Sequence, residues 1–129
     1  MIDLYKYTEK EQKQILDSMR IVYDSKEKEN SHILTTLEKS GISYVKRGLP
    51  YGDYSVEIPA NEELGIFKDL DFSNKIVIER KNSLEELSGC FTETRDRLKK
   101  EFASAPEHKI MLIENASYTD MVSGNYNTK

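Results

Sequence analysis

The chain has 129 residues, of which 33% are charged and 37% hydrophobic, and its net charge is −4 at pH 7. This length favours a single domain, and the composition is typical of a soluble globular protein, which excludes a disordered chain. The longest apolar runs are only a few residues long, and the N-terminus lacks the apolar core of a signal peptide. We therefore expect one cytoplasmic domain over residues 1–129, with no membrane span.

Charge and cysteine content narrow the classes of function further. The acidic total argues against broad non-specific binding of nucleic acid, which normally goes with a basic excess. It does not exclude a local basic strip beside clustered carboxylates. The one cysteine, Cys90, cannot form an internal disulfide and has no Cys or His near it in sequence at zinc-ligand spacing. We interpret Cys90 as a structural thiol.

The first half of the chain predicts an N-terminal helix followed by a βαβ-like unit. The predicted elements are an arm and helix over residues 1–19, a strand over 20–24, a helix from 30 or 31 to 41, and a strand over 42–45. Thr8 and Glu11 have the spacing of a capping box, and Gly41 is a natural helix end. A strand, a helix and a strand in about 25 residues imply a sheet with at least one helix-covered face.

The second half predicts further strands and a long helix. The predicted elements are a strand over 52–58, a polar connection over 59–74, a central strand over 75–81, a helix from about 84 to 104, a strand over 109–113 and a short helix around 118–122. Ser83 and Glu86 form a second predicted capping box. The pattern indicates an α/β fold. Because the last residues carry no stop signal, we expect the natural chain to continue past Lys129.

Polar side chains stand at the ends of the predicted strands. Asp24, Asp53 and Glu79 each lie at or beside a strand end, which is a usual place for a site in an open α/β sheet. Lys81 lies two residues after Glu79, so both side chains should project to the same side of the sheet. Carboxylates and a lysine so placed can hold a divalent cation and a water against a phosphate. The simpler alternatives are a salt bridge between Glu79 and Lys81 and an ordinary turn at Asp53.

One arginine interrupts the apolar stripe of the long helix. Arg95 lies four residues after Phe91 and three before Leu98, so it should point toward the body of the protein. A charge in that position is costly unless it has an anionic partner. The pattern therefore predicts that Arg95 meets a carboxylate or a phosphate.

The order of these motifs resembles the XPF-type nuclease domain, a branch of the PD-(D/E)xK restriction-endonuclease-like superfamily. The family pattern is Asp-x-Arg-Glu after the first strand, then Gly-Asp-Tyr, then Glu-Arg-Lys-Ser, and then a helix with an arginine. The matching segments here are Asp24-Ser-Lys-Glu27, Gly52-Asp-Tyr54, Val77-Ile-Glu-Arg-Lys81 with Ser83, and Arg95. The resemblance covers residues 20–114. It departs from the family at Lys26, where the family has arginine.

The resemblance implies roles for individual residues. The implied metal ligands are Asp53, Glu79, Asp24 and the backbone carbonyl of Arg80, with Mg²⁺ or Mn²⁺ as the cofactor. The implied catalytic residues are Lys81, Asp53, Glu79, Asp24 and Glu27. The implied DNA contacts are Arg80, Arg95, Arg97 and Lys26. The implied fold is restriction-endonuclease-like, with a mixed central β-sheet flanked by α-helices.

The resemblance also implies a function. It predicts a metal-dependent endonuclease that cuts flap, fork or junction DNA in recombination, repair or replication, in a phage or a bacterium. Relatives pair through this domain, so a homodimer is expected. The expected location is the cytoplasm, with association to the nucleoid as the furthest departure from it. Two alternatives stay open: a non-catalytic DNA-binding scaffold of the same fold, and a restriction-type endonuclease.

Overall fold

The computed structural model describes residues 2–86 and 106–124. Its helices are a 3₁₀ turn at Leu4–Lys6, α1 at Glu9–Asp17, α2 at Ser31–Lys39, a second 3₁₀ turn at Glu62–Leu64 and a short helix at Tyr118–Ser123. Its strands are β1 at Arg20–Asp24, β2 at Ser43–Arg47, β3 at Tyr54–Ile58, β4 at Leu70–Asp71, β5 at Ile76–Lys81 and β6 at His108–Ile113. A further helix begins over residues 84–86. The rest of the predicted long helix, with Cys90, Arg95 and Arg97, lies outside the described residues.

The strands form one mixed sheet in the order β2-β1-β3-β5-β6, with β4 paired to β3. The pairs β1–β2 and β5–β6 are parallel, and the pairs β1–β3, β3–β4 and β3–β5 are antiparallel. Helix α2 connects the parallel pair β1 and β2, as such a pair requires. This architecture confirms the predicted α/β fold with a mixed central sheet flanked by helices.

Helix α1 packs against the end of β3 through Ile15. Thr8 and Glu11 make the predicted capping box in full. Ile15 is 1% exposed and forms a core cluster with Ile58 at the end of β3 and with Ile66. The polar connection that contains Ile66 is held to the body of the protein by this cluster.

The start of the partly described helix differs slightly from the prediction. The Glu86 backbone N–H donates to Ser83 Oγ at 3.2 Å, as a capping box requires. The Glu86 carboxylate, however, accepts from the backbone N–H of Asn82 at 2.8 Å, one residue before the position that the prediction implied. The cap therefore also fixes Asn82, directly after β5.

Within the described ranges, no helix has the length and apolar character needed to cross a membrane.

Candidate active site at the end of the central strand

Strand β5 divides its last side chains between the two faces of the sheet. A Cβ on Gly52 would lie 2.0 Å from Val77 Cγ2 and 3.3 Å from Glu79 Oε2, so Val77 and Glu79 share the face next to Gly52. Because strand side chains alternate, Lys81 shares that face, and Arg80 points to the opposite one. Because β5 is a regular strand through Lys81, its geometry puts Glu79 and Lys81 on one side.

Asp53 lies between β1 and β5 and is held by backbone groups of both. Its N–H donates to the carbonyl of Ile78 at 2.9 Å, and its own carbonyl accepts from the N–H of Asp24 at 2.8 Å. Its carboxylate Oδ2 accepts from the backbone N–H of Arg80 at 2.7 Å. Since Arg80 stands between Glu79 and Lys81 in the chain, the Asp53 carboxylate is fixed beside the residues predicted to act with it.

Asp24 is oriented by the turn that follows β1. One carboxylate oxygen accepts from the N–H of Leu49 at 2.8 Å, and the other accepts from the N–H of Lys26 at 3.2 Å. The Glu27 N–H donates to the Asp24 carbonyl at 2.9 Å. The motif Asp24-Ser-Lys-Glu27 is therefore an ordered turn. The Lys26 side chain is exposed, and its predicted contact with DNA stays a prediction.

Burial and nearby charges act together on the Asp53 carboxyl group. Burial raises its pKa above the usual aspartate value, and the negative charges of Glu27 and Asp24 raise it further. The hydrogen bond from Arg80 and the charge of Lys81 act in the opposite direction but do not cancel these effects. A carboxylate in this environment gains from a nearby cation.

We expect Asp53→Asn to raise the melting temperature of the metal-free protein at about pH 7. Because the folded-state pKa of Asp53 is raised, the folded protein binds this proton more tightly than the unfolded chain does. The resulting stability is present below the unfolded pKa and is lost as pH rises through the folded pKa. Asparagine keeps an acceptor for the Arg80 N–H without the charge.

Thermal unfolding in EDTA, at about pH 7 and about pH 3.5, checks this prediction. The gain from Asp53→Asn should be present at the higher pH and absent at the lower one. Asp17→Asn is the control, because Asp17 is exposed and its i,i+4 pair with Lys13 contributes only a few tenths of a kcal/mol. A destabilised Asp53→Asn protein at neutral pH would contradict the prediction.

The Arg80 side chain does not lie where its predicted contact with DNA requires. It is only 4% exposed and lies on the face opposite Glu79 and Lys81. Its Nη1 lies 3.2 Å from Glu27 Oε2, and its Nε pairs with Glu114. The prediction that the Arg80 side chain contacts DNA is therefore wrong, because a guanidinium bound to two carboxylates inside the protein does not reach a phosphate at the surface.

Glu27 is drawn to the same buried guanidinium. Its carboxylate therefore pairs with Arg80, away from the face that carries Glu79. Its charge still raises the pKa of Asp53, so it belongs to the electrostatic surroundings of the site. Its predicted catalytic role stays a prediction.

The sequence interpretation missed Glu114 and His32. Glu114 follows β6 directly, and its N–H donates to the carbonyl of Lys81 at 2.8 Å. His32 Nε2, at the start of α2, lies 2.5 Å from Glu114 Oε2. A signal was available for Glu114, because an acidic residue directly follows the strand predicted over 109–113, and strand ends are a usual place for a site in an open α/β sheet.

The donors around Asp53 fit a hard divalent cation. Asp53, Glu79 and Asp24 offer only oxygen atoms, which suits Mg²⁺ or Mn²⁺. In residues 2–86 and 106–124, no group of three or more His, Cys, Asp or Glu side chains is placed to hold a metal ion. Mg²⁺ is commonly held by one or two carboxylates together with water and substrate phosphates, so a cation here would take its remaining ligands from water and from the substrate.

The mixed sheet flanked by helices agrees with the restriction-endonuclease-like class of α/β proteins. The model of the ERCC4 domain family matches residues 23–129, most of the chain. The chain therefore belongs to the ERCC4 domain family, that of the XPF-type nuclease domains, and this membership indicates a nuclease that acts on DNA. No curated protein gave a significant match to the chain.

Proposed function

We propose that this protein is a metal-dependent endonuclease that hydrolyses phosphodiester bonds at branched, flapped or otherwise non-duplex sites in DNA. The observation that carries the proposal is the hydrogen bond from the Arg80 backbone to the Asp53 carboxylate. This bond brings Asp53 to the segment that carries Glu79 and Lys81. Membership of the ERCC4 domain family supports nuclease activity. The dependence on a metal and the preference for branched DNA are proposed in addition.

Each residue of the site has a role in the proposed reaction. Asp53 and Glu79, with Asp24 and the backbone carbonyl of Arg80, would hold Mg²⁺ or Mn²⁺. When bound, such a cation lowers the pKa of a water molecule and polarises the phosphate. Lys81 presents a positive charge on the same face, where it orients the attacking water and stabilises charge that develops on the phosphate oxygens.

The proposed biological setting is recombination, repair or replication of DNA in a phage or bacterium. It follows from the resemblance to XPF-type domains, whose relatives act on branched DNA. The same resemblance supports a homodimer formed through this domain. Arg95, Arg97 and Lys26 are the proposed contacts to the DNA backbone.

Cleavage of labelled flap, fork, four-way-junction and linear duplex DNA tests the proposal. We expect cutting in Mg²⁺ or Mn²⁺ but not in EDTA, a preference for branched substrates of at least tenfold, and loss of cutting in Asp53→Ala. Binding of branched DNA without cutting in any metal would instead favour a non-catalytic scaffold. Cutting of linear duplex at defined sequences would favour a restriction-type enzyme.

A further inference from the structure

Within the described part of the chain, each of the three guanidinium nitrogens of Arg80 lies next to a polar or charged group. Its guanidinium is the centre of a buried polar cluster, the Arg80 cluster, on the face opposite Glu79. The members that contact it are Glu27 at 3.2 Å, the carbonyls of Lys28 at 3.4 Å and Glu29 at 3.2 Å, Asn82 Oδ1 at 2.7 Å, and Glu114 at Nε. The loop bends to provide one of these acceptors, because Glu29 has a φ of 52°, which is uncommon for a residue other than glycine.

Glu114 contacts a different part of the Arg80 guanidinium from the other members of the cluster. The remaining contacts are made to the terminal nitrogens of Arg80, whereas Glu114 pairs with Nε, the nitrogen bonded to the aliphatic stem. A partner at Nε fixes the stem, and through it the position of the Arg80 backbone, more directly than a partner at the tip does. Glu114 is thus the member best placed to determine where the backbone of β5 lies.

The charge on Glu114 is maintained by its partners. Burial alone would raise its pKa, but the hydrogen bond with His32 and the charge of Arg80 together hold the pKa below the usual value for glutamate. Glu114 is therefore an anion at neutral pH, with one carboxylate oxygen on Arg80 and the other on His32.

The backbone of Arg80 connects this cluster to the candidate active site. The Arg80 N–H donates to Asp53 Oδ2 at 2.7 Å, so the residue that Glu114 holds is the residue that orients Asp53. We propose that Glu114 is a positioning residue for the cleavage site, acting through Arg80 on Asp53 and Glu79. The proposal deepens the proposed nuclease function and rests on it for its effect on cleavage.

The first test needs neither metal nor DNA. In Glu114→Gln, the amide group can still meet Arg80 Nε but without the charge, so we expect the Arg80–Asp53 hydrogen bond to lengthen. The backbone amide proton signal of Arg80 should then move upfield in ¹H–¹⁵N NMR spectra recorded in EDTA. His32→Gln is the matched control, because the glutamine amide can still donate to the outer oxygen of Glu114, so the charge on Glu114 and its pair with Arg80 are kept. An unmoved Arg80 signal in a folded Glu114→Gln protein would overturn the proposal.

The second test uses single-turnover cleavage of the preferred DNA substrate. Substitution of a residue that orients a metal ligand typically costs 10- to 100-fold in activity, and we expect Glu114→Gln to lower the maximal cleavage rate by about that factor. The dissociation constant for DNA, measured in EDTA, should stay within about twofold of wild type. His32→Gln should change the rate by less than about threefold. Equal losses of rate and DNA affinity in Glu114→Gln would indicate a general structural role and overturn the proposal.

Glu114→Asp keeps the proposal testable if Glu114→Gln does not fold, as judged by thermal unfolding. Aspartate keeps the charge but is one methylene shorter, so we expect a folded protein with a smaller shift of the same amide signal and a smaller loss of rate. A folded Glu114→Asp protein identical to wild type in both measurements would overturn the inference. If wild type itself cuts no DNA, the proposed function fails, while the amide signal still decides whether Glu114 positions Arg80.

Discussion

Replacing Lys81 by methionine is expected to lower the rate of DNA cleavage by about 10²- to 10³-fold, the usual cost of removing one group that stabilises transition-state charge. Lys81 ends β5 on the face of Glu79, beside the Asp53 carboxylate. Methionine keeps most of the aliphatic stem and removes the charge. Because a lysine that acts in the transition state adds little to ground-state binding, the DNA dissociation constant should change by no more than a few-fold.

Lys109→Met is the matched control for this experiment. Lys109 pairs in register with Val77 of β5, which lies four residues before Lys81. Lys109→Met therefore removes one positive charge from the same face of the sheet. Its side chain is exposed, and we expect cleavage within about twofold of wild type. The measurement is single-turnover cleavage with enzyme in excess, together with DNA binding in EDTA. Equal losses of cleavage rate in the two variants would show that the rate depends on the total positive charge and not on the position of Lys81.

Arg80 shows where sequence reasoning succeeded and where it failed at this site. The alternation of strand side chains predicts Glu79 and Lys81 on one face, and both residues belong to the regular strand β5. The same rule places Arg80 on the other face. The resemblance nevertheless grouped Arg80 with the basic residues that contact DNA, since a family motif records which residues matter but not which side of the strand each one uses. Periodicity was the better guide to the Arg80 side chain.

Other features of the fold depend on contacts that local patterns do not contain. β4 has two residues, Leu70 and Asp71, which is too short to show alternation, and it is defined by pairing with β3. The Arg80–Glu114 pair joins β5 to the residue that follows β6, and the two partners lie too far apart in sequence for one local pattern to include both. In contrast, Arg20–Asp24 and Ser31–Lys39 were predictable because the apolar pattern and the helix ends are local.

Alanine at Gly52 is expected to destabilise the protein by about 3 kcal/mol, and alanine at Gly41 by about 1 kcal/mol. Both glycines have positive φ, 63° and 72°, and a left-handed conformation costs an alanine about 1–2 kcal/mol. Only Gly52 also faces a packed surface, since its Cβ would come within 2.0 Å of Val77 Cγ2, whereas a Cβ at Gly41 meets nothing within 4 Å. Overpacking adds about 1–3 kcal/mol, so the difference between the variants isolates this contact.

Chemical denaturation measures the free energy of unfolding of the two variants. Cleavage assays show how each substitution affects the candidate active site. To admit the new methyl group, Val77 must move, and Glu79 shares its face and lies next to the same position. We therefore expect Gly52→Ala to lose cleavage activity even at temperatures where it stays folded, while Gly41→Ala retains it. Equal stability losses in the two variants would contradict the close approach of Gly52 to β5. Wild-type cleavage by a folded Gly52→Ala protein would instead show that Glu79 tolerates displacement, and its role as a ligand would have to be reconsidered.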